Sequence, residues 1–181
     1  MAEAFTTDPV MRWLVPDDRR RPAALRRFFA IEAQAVALPY NACLVASTAE
    51  GEVGAMLVLP PNKWRTPFSV EVRNSVGFGR VFGRRLGHAF GLLTIFEHKH
   101  IREPHYYVPF IGVRDGVRGE GVGSAMLKSL VDRCDVERTS AYLEATSPDS
   151  ARLYRRHGFV TLDVVRPLGS PPIELMLRRP A

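Results

Sequence analysis

The sequence has few cysteines and no long apolar run, and each shortage excludes a class of protein. Cys43 and Cys134 are the only two cysteines among 181 residues, too few for a disulfide framework or a cysteine-rich metal site. No apolar segment approaches the ~18–20 residues that span a bilayer. The first ten residues, MAEAFTTDPV, lack the basic start and apolar core of a signal peptide. We therefore expect a cytoplasmic chain without a membrane partner.

Size and composition fit one domain that covers residues 1–181. Hydrophobic residues make up 46% of the chain and charged residues 24%, and the net charge is +6. A basic chain suits a phosphate-bearing partner, either a nucleic acid or a small cofactor. The arginines are scattered in pairs such as Arg84-Arg85 and Arg155-Arg156 and form no single basic segment. We therefore expect solvated arginines and no nucleic-acid partner.

Apolar spacing and turn residues predict a mixed α/β domain. After Pro22 the apolar positions follow a helical period, and residues 42–48 and 52–59 form two β-rich runs typical of a hairpin. Ser147-Pro148 is typical of a helix start, and Pro109 indicates a bulge or a splayed neighbour in its strand. The second half predicts the order strand, helix, strand, helix, strand, strand. The strands are expected at residues 105–113, 140–146, 159–165 and 174–178, with one helix beginning at residue 122 and the other after residue 147.

Residues 62–104 have the least regular pattern. Gly79, Gly83, Gly87 and Gly91 are spaced four apart, and each glycine inside a helix costs about 1 kcal/mol relative to alanine. Close packing on the sheet, a partly irregular helix and a ligand-facing stripe remain as alternatives. His98, His100 and His105 match no standard metal-ligand spacing, so we expect an exposed loop and no metal.

The segment with the most specific chemistry follows the strand over residues 105–113. Glycines at 119, 121 and 123 let backbone amides converge at a helix start, where the helix dipole favours an anion. Arg118 adds a positive charge. The segment lacks the lysine of the Walker pattern, and Ser124 stands where the dinucleotide pattern needs its third glycine.

A second motif follows the first in the expected order. Arg118-Gly119-Glu120-Gly121-Val122-Gly123 after a strand, then Leu143-Glu144-Ala145-Thr146, Leu153-Tyr154 and Gly158-Phe159, resembles the GCN5-related N-acetyltransferases (GNAT). Arg102-Glu103-Pro104 and residues 142–144 and 153–159 are most similar to the puromycin N-acetyltransferase branch. The resemblance implies a central twisted mixed sheet, splayed between two strands and flanked by helices. The family usually begins with a strand that is not evident at the start of this sequence; a missing strand, a strand supplied by a partner and loss through start-site choice all remain open.

The resemblance also implies a role for each motif residue, with acetyl-CoA as the cofactor. Ile111, Gly112 and Val113 would pair with the pantetheine arm, with the Ile111 N–H at the developing oxyanion. Ser150 stands where many relatives have asparagine, which implies a weaker cofactor contact. Tyr154 would contact the cofactor and protonate the departing thiolate, and Glu144 would be the base. The pyrophosphate would be bound by Arg118, Gly119, Glu120, Gly121, Val122, Gly123 and Ser124.

The implied function is transfer of an acetyl group directly to the amine of a small molecule, such as an antibiotic or metabolite. A non-catalytic acyl-CoA-binding module, which needs no working base or acid, is the alternative. For the single residues, the alternatives are a surface residue at the strand end for Glu144 and a core aromatic for Tyr154. The acceptor pocket would come from residues 62–104, and the aromatic residues near it favour a partly apolar acceptor. Those residues are Trp64, Phe68, Phe78, Tyr106 and Tyr107. A homodimer is one expected assembly, because a partner would supply the first strand.

Overall fold

The computed structural model describes all residues 1–181 as a six-stranded mixed sheet between two layers of helices. The strands are β1 Leu44–Thr48, β2 Gly51–Leu59, β3 His105–Val113, β4 Ser140–Ala145, β5 Val160–Val165 and β6 Ile173–Arg178. The helices are α1 Pro9–Leu14, α2 Arg21–Ile31, α3 Phe68–Phe82, α4 Leu86–Lys99, α5 Val122–Val136 and α6 Pro148–Arg156. This architecture confirms the predicted mixed α/β fold. None of the helices combines the length and the apolar character that a bilayer-spanning segment needs.

The sheet has the order β1-β2-β3-β4-β6-β5. All neighbours are antiparallel except β3 and β4, which run parallel. The predicted hairpin is the β1–β2 pair, and the predicted strand–helix order of the second half is confirmed. No strand precedes Leu44; the chain before it is helical or irregular. The strand with which the family usually begins is therefore absent from this sheet.

Helices α1 to α4 cover one face of the sheet, and α5 and α6 cover the other. Tyr142, Leu175 and Leu177 pack with residues of α1 to α4, whereas Leu143 and Met176 pack with α5 and α6. Successive residues of a strand point to opposite faces. Glu144 pairs with Leu175, which places its side chain on the face covered by α1 to α4.

The sheet opens between β3 and β4. Their ladder ends at the pair Val108–Leu143, although β3 continues to Val113 and β4 to Ala145. At the same level β3 has a bulge in its pairing with β2. Leu57 pairs with Phe110 and Leu59 with Tyr107, so two steps along β2 correspond to three along β3. The bulge includes Pro109, which has no N–H to donate to a ladder. Both the predicted bulge and the predicted splay are therefore confirmed.

The glycine-rich segment forms two helices rather than one. Gly83 has φ +52° and stands in a short 3-10 turn between α3 and α4. A Cβ at Gly91 would meet Leu168 at 2.6 Å, whereas one at Gly79 or Gly87 would meet nothing within 4 Å. The continuous bare stripe is therefore wrong, and the partly irregular helix is the correct interpretation.

Candidate active site

The loop before α5 presents a group of backbone amides without partners. The N–H groups of Gly119, Gly121, Val122, Gly123 and Ser124 make no hydrogen bond within the protein. Glycine is required at two of these positions, because Gly119 has φ +89° and Gly121 φ +86°. The last three amides open the first turn of a fifteen-residue helix, where the dipole favours negative charge. This arrangement is suited to a phosphate group.

The side chains around this loop are already held by neighbours. The Arg118 guanidinium pairs with Asp115 at 2.8 Å and donates to the Ala4 carbonyl at 2.7 Å. It therefore stays beside the loop while remaining half-exposed. Glu120 contributes no free amide, since its N–H donates to the Val117 carbonyl.

Two predicted cofactor contacts use their hydroxyl groups elsewhere. The Ser124 hydroxyl and His157 Nε2 lie 2.7 Å apart. The Ser150 hydroxyl belongs to the capping box of α6 and donates to the Ser147 carbonyl at 2.8 Å, which confirms Ser147 as the N-cap. Their contacts with a cofactor stay predictions, and the free amide of Ser124 is its available donor.

Past Val108 the edge of β3 that faces β4 has no strand partner. Ile111, Gly112 and Val113 pair only with β2 on the opposite edge. A Cβ at Gly112 would lie 2.9 Å from Met1 Sδ and 3.1 Å from Ala4 Cβ, so the first residues of the chain pack closely on this strand. An unpaired edge of this kind can accept an extended chain as an added strand.

Glu144 is buried at the end of β4, where the sheet has opened. Its side chain is 5% exposed, and Oε1 has no hydrogen-bond partner. Burial raises the pKa of Glu144 to about 8, an effect that the Tyr107 hydroxyl partly offsets. The surface-glutamate alternative is therefore wrong.

Tyr154 is buried on α6 and its hydroxyl makes no hydrogen bond within the protein. Burial raises the pKa of Tyr154 well above its usual value, and the charges of Asp8 and Glu144 add to this. The hydroxyl therefore keeps its proton at neutral pH. Its ring packs with Phe159, so Tyr154 is also part of the core, as the alternative interpretation held.

A cavity of about 230 Å³ lies between the sheet and α1 to α4, and we call it the acceptor cavity. Of its 28 lining residues 19 are hydrophobic, which makes most of its wall apolar. The predicted aromatic residues divide: Trp64, Phe78 and Tyr107 line it, whereas Phe68 is exposed and Tyr106 packs on the other face. Its carboxyl groups belong to Glu32, Glu71, Glu97 and Glu144.

Glu32 is a site residue that the sequence analysis missed. It opens a π-helical turn, Glu32–Ala37, at the end of α2, and such turns are frequent at functional sites. Its side chain forms no ion pair, and burial raises the pKa of Glu32 to about 7. Burial raises the pKa of Tyr107, and the charges of Glu144 and Glu32 both raise it further, so both carboxylates lie near the Tyr107 hydroxyl. One signal was present: Glu32 is the only charged residue between Arg27 and Glu50.

The histidines correct another prediction. His98 is exposed, as expected, but His100 and His105 are 7% and 1% exposed and their Nε2 atoms lie 2.9 Å apart. Trp64 stacks on His100 with ring centroids 3.9 Å apart. The exposed loop is therefore wrong: His98 is exposed but lies in α4, and His100 and His105 are buried. Their positions at the ends of α4 and β3 bring them together.

The site combines the amide-rich loop, the open edge of β3, the buried side chains of Glu144 and Tyr154, and the acceptor cavity. A family model described as acetyltransferase (GNAT) family matches residues 59–159. The match spans β3, the loop, Glu144 and Tyr154. It covers more than half of the chain.

Solved structures agree in fold. A protein of Corynebacterium glutamicum, described as histone acetyltransferase HPA2 and related acetyltransferase, is 29% identical, with TM-score 0.71, covering 99% of this chain and 87% of its own. A polyamine N-acetyltransferase of Drosophila melanogaster has 16% identity and TM-score 0.57, covering 99% and 97%. An arylalkylamine N-acetyltransferase of Aedes aegypti has 13% identity and TM-score 0.59, covering 98% and 92%. The last two likenesses concern the fold alone.

Proposed function

Because the chain belongs to the GNAT acetyltransferase family and is an N-acetyltransferase, we propose that it moves the acetyl group of acetyl-CoA directly to a primary amine of a small molecule. The observation that carries the proposal is Glu144, a buried carboxylate with an unpartnered oxygen at the mouth of the splay. It lines the acceptor cavity and lies within electrostatic reach of Tyr154. The candidate base and the candidate acid therefore act on each other from opposite faces of the sheet, beside its open part.

The residues present fit acetyl-CoA. The free amides of Gly119, Gly121 and residues 122–124 would bind the pyrophosphate. The open edge of Ile111–Val113 would pair with the pantetheine arm as an added strand would. When bound, the cofactor supplies the thioester whose carbonyl carbon the amine attacks. The Ile111 N–H is our candidate donor to the oxyanion that develops there.

Glu144 would remove a proton from the amine, since only a neutral amine attacks. A primary alkylamine with a pKa near that of lysine, ~10.4, is neutral in only about one molecule in 10³ at pH 7. A carboxyl whose pKa is about 8 takes that proton more readily than an ordinary glutamate would. Tyr154 would protonate the departing thiolate as the carbon–sulfur bond breaks. The dry surroundings that raise the pKa of Tyr154 would raise that of the thiolate as well.

The cavity favours a primary amine attached to an apolar or aromatic body. Trp64, Phe78 and Phe110 would pack on that body. Glu32, which has no protein partner, would hold the ammonium group as it enters, and pairing with a cation would keep Glu32 ionised. The arylalkylamine enzyme of similar fold acts on amines of this kind by its name.

Acetyl-CoA-dependent release of free thiol with a panel of amines tests the proposal. Aromatic and long-chain primary amines should support turnover, and Glu144→Gln should reduce kcat/KM by about 10²-fold or more. Glu97→Gln, which alters an exposed carboxylate at the same cavity, is the matched control. Cofactor binding without turnover on any amine would instead support the acyl-CoA-binding module.

A further inference from the structure

The buried pair His100–His105 forms a hydrogen-bonded chain that ends on a backbone carbonyl. Nε2 of His100 and Nε2 of His105 lie 2.9 Å apart, and Nδ1 of His105 lies 2.6 Å from the Glu103 carbonyl oxygen. Burial keeps both rings neutral, since it lowers the pKa of His105 and lowers that of His100 to about 3. Each ring therefore carries one proton.

The carbonyl at the end of the chain fixes where these protons are. A carbonyl oxygen only accepts, so Nδ1 of His105 carries that ring's proton and its Nε2 has a lone pair. The proton between the two rings must then be on Nε2 of His100. As a result Nδ1 of His100 has no proton. Rotation of Glu103 or of either ring would break the chain, so the tautomer is held by the fold.

The unprotonated nitrogen faces the base. Nδ1 of His100 lies 4.0 Å from Glu144 Oε1, the oxygen that has no other partner. This is longer than a hydrogen bond, but contacts at active sites often tighten when the substrates bind. A neutral His100 makes no ion pair with Glu144, so the contact favours the protonated carboxyl, which can donate to the nitrogen.

We propose that His100 is a positioning residue whose tautomer, fixed by His105, makes it share one proton with Glu144. The inference rests on the proposed function, in which Glu144 is the base. The shared proton lies between Glu144 Oε1 and His100 Nδ1, and the pair must lose it before Glu144 can accept one from the amine. His100 thereby raises the pH above which the base is available.

Other groups contribute to the same titration. His105 and Tyr107 face the pair from β3, and Tyr142 from β4, with rings 4.5–5.0 Å from His100. Arg65 lowers the pKa of His100 by its charge. Tyr154 lies within reach of Glu144, and Glu32 acts on Tyr107. These groups all remain in a variant that changes only His100. A change in the pH profile of that variant is therefore caused by the loss of the contact between His100 and Glu144.

The test is the acidic limb of the pH profile of kcat/KM in His100→Phe, which keeps an aromatic ring against Trp64. Without the lone pair the protonated carboxyl loses its acceptor, and the limb should move about one pH unit or more towards acid. His105→Phe should move it in the same direction, because His100 can then place a proton on Nδ1 and donate to the ionised carboxylate. His98→Phe changes an exposed histidine of the same segment and should leave the limb where it is.

A titration of Glu144 followed by NMR separates this proposal from the proposed function. Uniform ¹³C labelling of glutamate, with Glu144→Gln to assign the signal, reports the ionisation of Glu144 without any acceptor or turnover. The same downward shift should appear in His100→Phe and His105→Phe. If the Glu144 titration and the acidic limb stay unchanged, or move upward, in either folded variant, the proposal is overturned, whatever amine the enzyme uses.

Discussion

At the scale of single residues, two buried carboxyl groups link stability to pH. A carboxyl whose pKa is raised in the folded state binds a proton that the unfolded chain has released, so the free energy of unfolding falls as pH rises from ~4.3 to the folded pKa. For Glu144 that window reaches about 8. His100 has the opposite effect, because its pKa is lowered to about 3, but only below its unfolded value of ~6.5. Above pH ~6.5 His100 no longer contributes, so the fall in the free energy of unfolding that is due to Glu144 can be measured by itself.

The first prediction follows from this window. Between pH 6.5 and 8 the wild-type free energy of unfolding should fall by roughly 2 kcal/mol through Glu144, since one pKa unit corresponds to ~1.4 kcal/mol. Glu144→Gln should remove most of that fall. Glu32→Gln should remove a smaller part, because its pKa is about 7. Urea denaturation at the two pH values measures it. An equal fall in wild type and Glu144→Gln would contradict it, and Glu97→Gln is the exposed control.

Tyr154 gives the second prediction. Tyr154→Phe should lower kcat by about 10²-fold or more, because the departing thiolate loses its proton donor. The acetyl-CoA Kd should stay within about twofold, since the free amides of the loop remain. Calorimetric titration and steady-state kinetics measure the two quantities. Tyr106→Phe is the matched control, because Tyr106 belongs to the same core as Tyr154 but its hydroxyl is already engaged, donating to Glu137 at 2.7 Å. Normal turnover in Tyr154→Phe would remove it from the mechanism.

Glu32 gives a third prediction, which concerns recognition of charge. Glu32→Gln should raise KM for an aromatic amine about tenfold or more, with a smaller change in kcat, because the ammonium loses its partner. Binding of 2-phenylethylamine should weaken by a similar factor. Binding of 2-phenylethanol, which has the same body without the charge, should change little. Competition by the two probes separates a lost ion pair from a deformed cavity; equal weakening of both would indicate deformation.

At the scale of elements, the loop before α5 makes a fourth prediction. Gly121 has φ +86°, and a Cβ there would meet nothing within 4 Å, so Gly121→Ala strains the backbone without a clash. The strain should distort the group of free amides and raise the acetyl-CoA Kd about tenfold. Gly116→Ala, in the same loop and with the same open space, should bind normally. Calorimetry on both variants measures the difference.

The conformation of the loop and the place of Glu144 at the end of a strand could be predicted from sequence because the signals for both are local. Glycines fix the conformation of the loop, and Ser147 and Pro148 fix the start of α6. A strand comes directly before the loop and another directly before α6, and Glu144 lies near the end of the second. The break at Gly83 could not be predicted in this way. It depends on distant contacts, such as the Arg20 guanidinium, which donates to the Val81 carbonyl at 2.7 Å and holds the end of α3 against α2.

Glu32 and His100 show the same limit at the site. Each looks like a surface residue in a one-dimensional pattern, because glutamate and histidine are mostly exposed. Each is buried beside the cavity only because another segment packs on it: Trp64 and His105 on His100, and the α3–α4 layer over Glu32. Burial of a polar residue by distant segments leaves no periodic signal in its own neighbourhood.

At the scale of the whole molecule, binding of acetyl-CoA should raise the melting temperature, since only the folded chain brings the loop, β3 and α6 together to bind it. At a hundredfold excess over Kd, mass action adds about 2.7 kcal/mol to the free energy of unfolding, or roughly 5–10 °C for a chain of this size. This fifth prediction is checked by thermal unfolding with and without cofactor. Glu32→Gln should keep the shift, whereas Gly121→Ala should reduce it; an unchanged melting temperature in the wild type would contradict cofactor binding.

The sheet divides the molecule into two parts that the chain encodes separately. The strand, loop and helix that would receive acetyl-CoA, together with Glu144 and Tyr154, come from the continuous stretch 105–156. The walls of the acceptor cavity come mainly from residues 10–36 and 64–100. Mutations that enlarge, shrink or recharge those walls, His100 apart, leave the residues of the stretch 105–156 unchanged. Among descendants of a duplicated gene, we therefore expect residues 105–156 to be inherited almost unchanged. New acceptor specificities should arise through substitutions in residues 10–36 and 64–100.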